Sequence, residues 1–180
     1  MIRITGGDRK GMILSAPRGL RTRPATSRIR QWIFDVLGPP AGLDVLDLFA
    51  GTGAVGIEAL SRGAASALFV EKAAGAVAVL EENLRKTRYV EVAEVWRLDA
   101  GRAASILKEK GRHFEVCFCD PPYAWKGLEE LLSRSILDLL APQGTLVVEH
   151  RGESALLPRG LRPDREKRFG DTLLSLWNLD

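Results

Sequence analysis

The chemistry of this chain concentrates in Asp120-Pro121-Pro122-Tyr123, which closes the apolar run Phe114, Val116, Cys117, Phe118 and Cys119. A short apolar run ending on such a break predicts a buried strand that stops at a rigid loop. Each proline fixes its own φ, and Pro122 pushes Pro121 toward extended geometry. Neither has an amide hydrogen. The turn therefore presents the Asp120 carboxylate, the Pro121 carbonyl and the Tyr123 ring as one stiff array. It suits a planar group bearing an amine, whose hydrogens meet two acceptors and whose face meets the ring. An ordinary strand-to-loop break begins with the same three residues, so the rest of the chain must decide between the two.

Gly51-Thr52-Gly53-Ala54-Val55-Gly56 follows a predicted strand over Asp44–Phe49 and matches GxGxxG, with Glu71 lying 20 residues beyond Gly51. Both are features of a dinucleotide fingerprint. The strand favours a different cofactor. Asp47 lies near its carboxyl end, where open α/β sheets bind ligands. A carboxylate there opposes a pyrophosphate and suits the cationic aminopropyl-sulfonium part of S-adenosylmethionine. Glu71, ending the second strand, suits ribose hydroxyls, and Asp99, just after the third, suits an adenine amino group. Helix capping or surface charge is the structural alternative for all three acids. Phe49, Gly51, Thr52, Gly53, Lys72 and Ala100, beside them in the chain, complete the candidate cofactor set.

The elements that must position these residues alternate. Strands are predicted over Asp44–Phe49, Ser66–Glu71, Val92–Leu98, Phe114–Cys119 and Thr145–His150. Helices are predicted over Ala54–Arg62, Ala73–Lys86, Arg102–Lys110 and Leu128–Leu140. Repeated βα units imply a parallel sheet with helices on both faces. The ending differs: Arg165–Phe169, a Gly170-Asp171 turn and Thr172–Leu179 predict an antiparallel hairpin. Before the first βα unit, Ile2–Thr5 and Met12–Ser15 predict a small hairpin. Thr26 or Ser27 then caps a helix with the stripe Ile29, Trp32, Ile33, Val36 and Leu37. Trp32, Trp96 and Trp177 fall on apolar stripes and read as core, and Tyr89 as a structural aromatic. Trp125 is either a second wall for a base or loop packing.

The length of 180 residues, with 46% hydrophobic and 27% charged residues, predicts one folded domain. Residues 1–40 would form a basic hairpin-and-helix extension and residues 41–180 the catalytic core. No apolar run is long enough to span a membrane, and the first residues do not read as a secretory leader. Cys117 and Cys119 share one face of a strand, a poor arrangement for a mutual disulfide, so a reducing, cytoplasmic setting is expected. The two histidines, His113 and His150, come with no clustered ligands, and no metal site is expected. The net charge of +3 divides unevenly: residues 1–34 carry +7 and the remainder −4. A basic arm on an acidic body fits a polyanion partner, with Arg23, Arg28 and Arg30 as candidate phosphate contacts; ordinary ion pairing is the alternative.

Asp44–Gly56 resembles motif I of class I S-adenosylmethionine-dependent methyltransferases, and Asp120–Tyr123 resembles motif IV of those that methylate amines. Arg3-Ile4-Thr5-Gly6-Gly7, Arg23-Pro24-Ala25-Thr26-Ser27-Arg28-Ile29-Arg30 and the run Phe49–Ala64 narrow the likeness. With them the chain resembles, over nearly its whole length, the bacterial small-subunit ribosomal RNA guanine-N2 methyltransferases of the RsmD family. The resemblance implies a Rossmann-like class I methyltransferase fold: a seven-stranded, mostly parallel sheet with an antiparallel C-terminal hairpin, plus the N-terminal β-hairpin and helix. It also implies S-adenosylmethionine as cofactor and a guanine amine of 16S rRNA as target, with Asp120, Pro121 and Tyr123 as the catalytic set. With no separate recognition domain read in the sequence, an assembling small ribosomal subunit is the expected form of the substrate, and a monomer the default state. The chain departs from the family pattern at Gln31-Trp32-Ile33-Phe34-Asp35, where a Glu-Ala-Leu-Phe-Asn-like run is usual, so no role is carried onto Asp35. A DNA adenine-N6 or cytosine-N4 methyltransferase is the alternative enzyme, and a binding module that has lost catalysis is the alternative class.

Overall fold

The computed structural model describes residues 1–16, 25–122, 125, 127–151 and 162–179. Two short strands, β1 (Ile2–Arg3) and β2 (Ile13–Leu14), pair antiparallel as the N-terminal hairpin. Helix α1 (Ala25–Leu37) follows, and then the alternating units. These are β3 (Asp44–Asp47), α2 (Ala54–Ser61), β4 (Ser66–Val70), α3 (Ala74–Thr87), β5 (Ala93–Trp96), α4 (Ala100–Glu109) and β6 (Phe114–Cys119). The chain continues through α5 (Leu128–Arg134), a 3-10 turn (Ile136–Leu139), β7 (Leu140–Arg151), β8 (Arg165–Phe169) and β9 (Thr172–Asn178).

The large sheet has seven strands in the order β5-β4-β3-β6-β7-β9-β8. Strands β3 to β7 run parallel, while β9 lies antiparallel between β7 and β8. The order reverses between β3 and β6, and that switch point is where an open α/β sheet leaves a crevice.

Alternation along the strands sends side chains into two cores. Val45, Phe69, Phe118, Val147 and Leu174 face one side and pack against α1, α2, α3 and the N-terminal hairpin. Leu46, Leu68, Cys117, Val148 and Trp177 face the other and pack against α4, α5 and the 3-10 turn. Both cysteines are buried and free. Trp177 belongs to the core as predicted, and Trp32 and Trp96 are partly buried at its margins.

Several elements depart from the sequence reading: β7 begins at Leu140 rather than Thr145, and β5 covers only Ala93–Trp96 of the expected Val92–Leu98. The helix predicted over Leu128–Leu140 ends at Arg134, because Ser135 leaves helical geometry at φ −131 and the chain tightens into the 3-10 turn. In α1, Phe34 is more deeply buried than Val36: its ring meets Phe118 edge-on at 5.9 Å, and the Arg62 guanidinium lies 4.7 Å over its centroid.

Candidate active site

The carboxyl ends of β3, β4, β5, β6 and β7 open onto a cavity of about 720 Å³, closed by Ile29 of α1 and the β8–β9 turn. That volume lies within the ~300–1,000 Å³ usual for small-molecule sites. Phe49, Gly51, Glu71, Lys72, Asp99, Ala100, Asp120 and Pro121, all singled out from the sequence, line it together.

The glycine loop is shaped by close packing. Gly53 has φ +78, and a Cβ there would fall 2.3 Å from Cδ1 of Leu80. A Cβ on Gly56, inside α2, would fall 2.3 Å from Cε1 of Phe69. A side chain at Gly56 would force α2 or the Phe69 ring of the sheet to shift, and one at Gly53 would displace the Leu80 side chain of α3.

The acids hold backbone as well as facing the cavity. The Gly51 amide donates to Oε2 of Glu71 at 3.0 Å, and the Ala73 amide to Oε1 at 2.7 Å. Glu71 thereby ties the glycine loop to the start of α3. Asp99 caps α4, its Oδ1 accepting from the Gly101 amide at 3.0 Å. Helix capping and cavity lining, alternatives on paper, coexist in Asp99, while Glu71 lines the cavity and holds backbone without capping a helix. Asp47 is different. It is 3% exposed, is absent from the cavity lining, and its Oδ2 accepts from the Gly56 amide at 3.2 Å. Burial, with the charge of Glu71 adding to it, pushes its carboxyl up to about 7 against the pull of that amide bond. Asp47 therefore stands behind the cavity wall and props the glycine loop.

Thr52 and Gly53 also form the loop without lining the cavity. The Thr52 carbonyl accepts from Nδ2 of Asn83 at 2.9 Å. Asn83 is fully buried in α3 and also joins β2, exchanging bonds with the backbone of Ser15 at 2.7 and 3.1 Å. A lone amide on the buried face of a helix was the signal for it.

Asp120 is exposed into the cavity, and Pro121 beside it is buried. The carboxyl of Asp120 is pushed well above the ordinary carboxylate range, first by the surrounding protein, then by Glu149 and Asp47. The Pro122 carbonyl accepts from the Trp125 amide at 2.7 Å, which closes the turn. Tyr123 lies outside the described residues. Trp125 packs on the second core with its ring edge-on to Phe49 at 5.0 Å, and it backs the wall without lining it.

The three arginines separate. Arg23 lies outside the described residues, and Arg28 is exposed on α1. Arg30 does not belong with them: it is 4% exposed, its Nε lies 3.1 Å from Oε2 of Glu58, and it donates to the Arg3 carbonyl at 2.9 Å. Glu58 is fully buried in α2 and also pairs with Arg62 at 2.9 Å and with the Thr5 hydroxyl. The expectation that Arg30 contacts phosphate is corrected, because its guanidinium is spent joining the N-terminal hairpin to the core. Tyr89 is structural as read, with its hydroxyl donating to Asp8 and the Arg9 guanidinium over its ring at 5.5 Å.

The cavity also contains groups not singled out from the sequence: Glu149 at the end of β7, Phe169 to Thr172 of the β8–β9 turn, and Ile29. The Phe169 ring meets Trp32 of α1 at 6.1 Å, so turn and helix close the cavity as one unit.

Comparison with known proteins agrees with this geometry. The family model described as "Conserved hypothetical protein 95" matches residues 2–178. "Ribosomal RNA small subunit methyltransferase D" of Escherichia coli K12 is 35% identical over 182 residues, 98% of this chain and 89% of that protein. The chain belongs to this family, that of RsmD. Its fold is the Rossmann-like class I methyltransferase fold. A solved member, "Putative methyltransferase yhhF from Escherichia coli", superimposes with a TM-score of 0.84 at 34% identity, covering 99% of this chain and 98% of that one. Beyond the family, SMU.776, described as a methyltransferase complexed with SAH, shares the fold at 14% identity with a TM-score of 0.72, covering 88% of this chain and 50% of that one. Among the described residues, no helix is long and apolar enough to cross a membrane.

Proposed function

We propose that this protein transfers a methyl group from S-adenosylmethionine to the exocyclic N2 amine of a guanine in small-subunit ribosomal RNA. One observation carries the reading: the acceptors Asp120 and Pro121 open into the same cavity as Glu71 and Asp99. An amine acceptor and the groups that would hold an adenosine-bearing donor thus face one space. The RsmD relative's name supports ribosomal RNA as the substrate, and the family resemblance supports guanine.

The residues present fit the cofactor. Glu71 offers carboxylate oxygens to ribose hydroxyls, Asp99 an acceptor to the adenine amine, and Phe49 an apolar wall. Asp47, behind the wall, steadies the glycine loop through the Gly56 amide. When bound, S-adenosylmethionine supplies an electrophilic methyl group and a positive charge among these acids.

An aromatic exocyclic amine is a poor nucleophile because its lone pair is delocalised into the ring. The Asp120 carboxylate and the Pro121 carbonyl each accept one amine hydrogen and draw the nitrogen toward tetrahedral geometry. Their attraction grows as the nitrogen becomes positive, so it is stronger in the transition state than in the ground state. Tyr123 stacks on the base, a contact worth ~1–3 kcal/mol in single-strand binders. The base must leave its own stack to reach this depth. Asp120 need not take a proton before transfer; the methylated ammonium loses it afterward. Much of the rate comes from holding the amine in line.

The N-terminal extension, residues 1–40, serves in this reading as the RNA-facing arm, with Arg23 and Arg28 on phosphate. Labelled methyl transfer to naked small-subunit RNA, to assembling small subunits and to duplex DNA, with mapping of the modified base, tests the function. Label on guanine N2 of the RNA or particle supports it. Label on DNA adenine or cytosine overturns it.

A further inference from the structure

Glu149 enters the cavity beside Asp120 and has no part in the chemistry above. Its position follows from strand register. Cys119 of β6 pairs with Val148 of β7, so Asp120 and Glu149 are the next residues along neighbouring parallel strands. Cys119 and Val148 both face the second core, whereas Phe118 and Val147 face the first. Alternation therefore sends Asp120 and Glu149 to the same face, and both line the cavity. Their proximity is also felt electrostatically, since Glu149 is the strongest charged neighbour raising the Asp120 carboxyl.

Two carboxylates side by side at a substrate cavity call for a ligand edge rich in donors. The amino-bearing bases differ on this point. Guanine N2 carries two hydrogens and is flanked by the N3 lone pair on one side and by N1–H, a third donor pointing the same way, on the side where Glu149 would stand. The adenine N6 amine is flanked by ring nitrogens N1 and N7, both acceptors. The cytosine N4 amine is flanked by N3, also an acceptor. A carboxylate next to the amine-binding acceptors would meet a lone pair in adenine or cytosine, and a hydrogen in guanine.

We propose that Glu149 is the residue that selects guanine: its carboxylate accepts N1–H while Asp120 and Pro121 accept the N2 hydrogens. The proposal rests on the guanine-N2 reading and adds the group that chooses the base. Asp120 and Pro121 alone recognise an amine; a third acceptor at the adjacent strand end recognises the edge on which the amine sits. A site that pairs an acceptor with a substrate N–H discriminates against an analogue presenting a lone pair at that position, because acceptor then faces acceptor.

The test uses the full-length protein and small-subunit RNA in which the mapped target is either guanine or 2,6-diaminopurine. The second base keeps the C2 amine but presents N1 as an acceptor. Wild type should prefer guanine by about 100-fold or more in kcat/KM. In Glu149→Gln the amide can turn its NH₂ toward N1, so the guanine preference should shrink by about tenfold or more. Because the readout is a ratio of two substrates within one variant, a partial folding defect cancels from it. Cofactor binding by the same variant, which should stay near wild type, shows that the site is intact. A wild type that methylates guanine N2, with an unchanged ratio in Glu149→Gln, overturns the role of Glu149 and leaves the guanine-N2 reading standing. A wild type that places no methyl on guanine N2 overturns that reading and this proposal with it.

Discussion

The guanidinium of Arg30 lies 3.1 Å from the carboxylate of Glu58, and neither side chain is more than 5% exposed. This pair joins α1 to α2 and, through the Arg3 carbonyl, to the N-terminal hairpin. Removing one partner of a buried pair leaves an uncompensated charge, typically a loss of ~3–5 kcal/mol. Arg62 still pairs with Glu58, so Arg30→Ala should cost somewhat less, about 2–4 kcal/mol in urea unfolding. Its RNA affinity, measured where it remains folded, should show a near wild-type salt dependence. The exposed Arg28→Ala should show the reverse, with unchanged stability and a shallower salt slope.

Gly56 sets α2 directly against the Phe69 ring of β4. Gly56→Ala introduces a Cβ 2.3 Å from Phe69, so the helix or the ring must shift. The expected loss is ~1–3 kcal/mol by denaturant titration, with weakened cofactor binding because the loop before α2 moves too. An alanine variant as stable as wild type would show that the contact is slack.

Asp47 sets a pH dependence of opposite sign to that of a salt-bridged aspartate. Its folded pKa is raised from 3.8 to about 7, so the folded state holds a proton that the unfolded state has lost. The stability it contributes is full below pH 3.8 and is lost as pH rises through about 7. Asp47→Asn keeps an acceptor for the Gly56 amide but cannot ionise. Relative to wild type without ligand, it should gain stability between those limits, by roughly 4 kcal/mol in all, and level off above. A pH-independent difference would contradict the raised carboxyl.

Much of this architecture was legible in order along the chain. The βα repeat and the antiparallel ending follow from periodicity and turn residues, and acids at successive strand ends pointed to the cavity. What escaped depended on contacts distant in sequence. Arg30 looked like its neighbours Arg23 and Arg28 because charge does not reveal which helix face is covered; its partner Glu58 lies on another helix. Glu149 had the same signal as Asp99 and Asp120, an acid ending a strand, but no adjoining motif drew attention to it. Its place beside Asp120 emerges only from the register that sets β7 beside β6. The 3-10 turn after Arg134 was missed because Ile136 and Leu139 continue an apolar spacing compatible with a helix.

Asp120 is the stronger acceptor for a nitrogen becoming positive when it is ionised, and burial, then the charges of Glu149 and Asp47, resist that. The acid limb of kcat/KM should therefore lie above the range of an ordinary carboxylate. Removing the Glu149 charge in Glu149→Gln should move that limb to lower pH, whatever it does to the maximal rate. A limb that stays in place would mean that another group controls it.

In this mechanism Asp120 acts on the amine and not on the cofactor. Asp120→Ala, assayed by calorimetric cofactor binding and by single-turnover methyl transfer to small-subunit RNA, separates the two. Cofactor affinity should stay within a few-fold of wild type while the transfer rate falls by about 100-fold or more. Near-normal turnover, or a loss explained entirely by weaker cofactor binding, would contradict it.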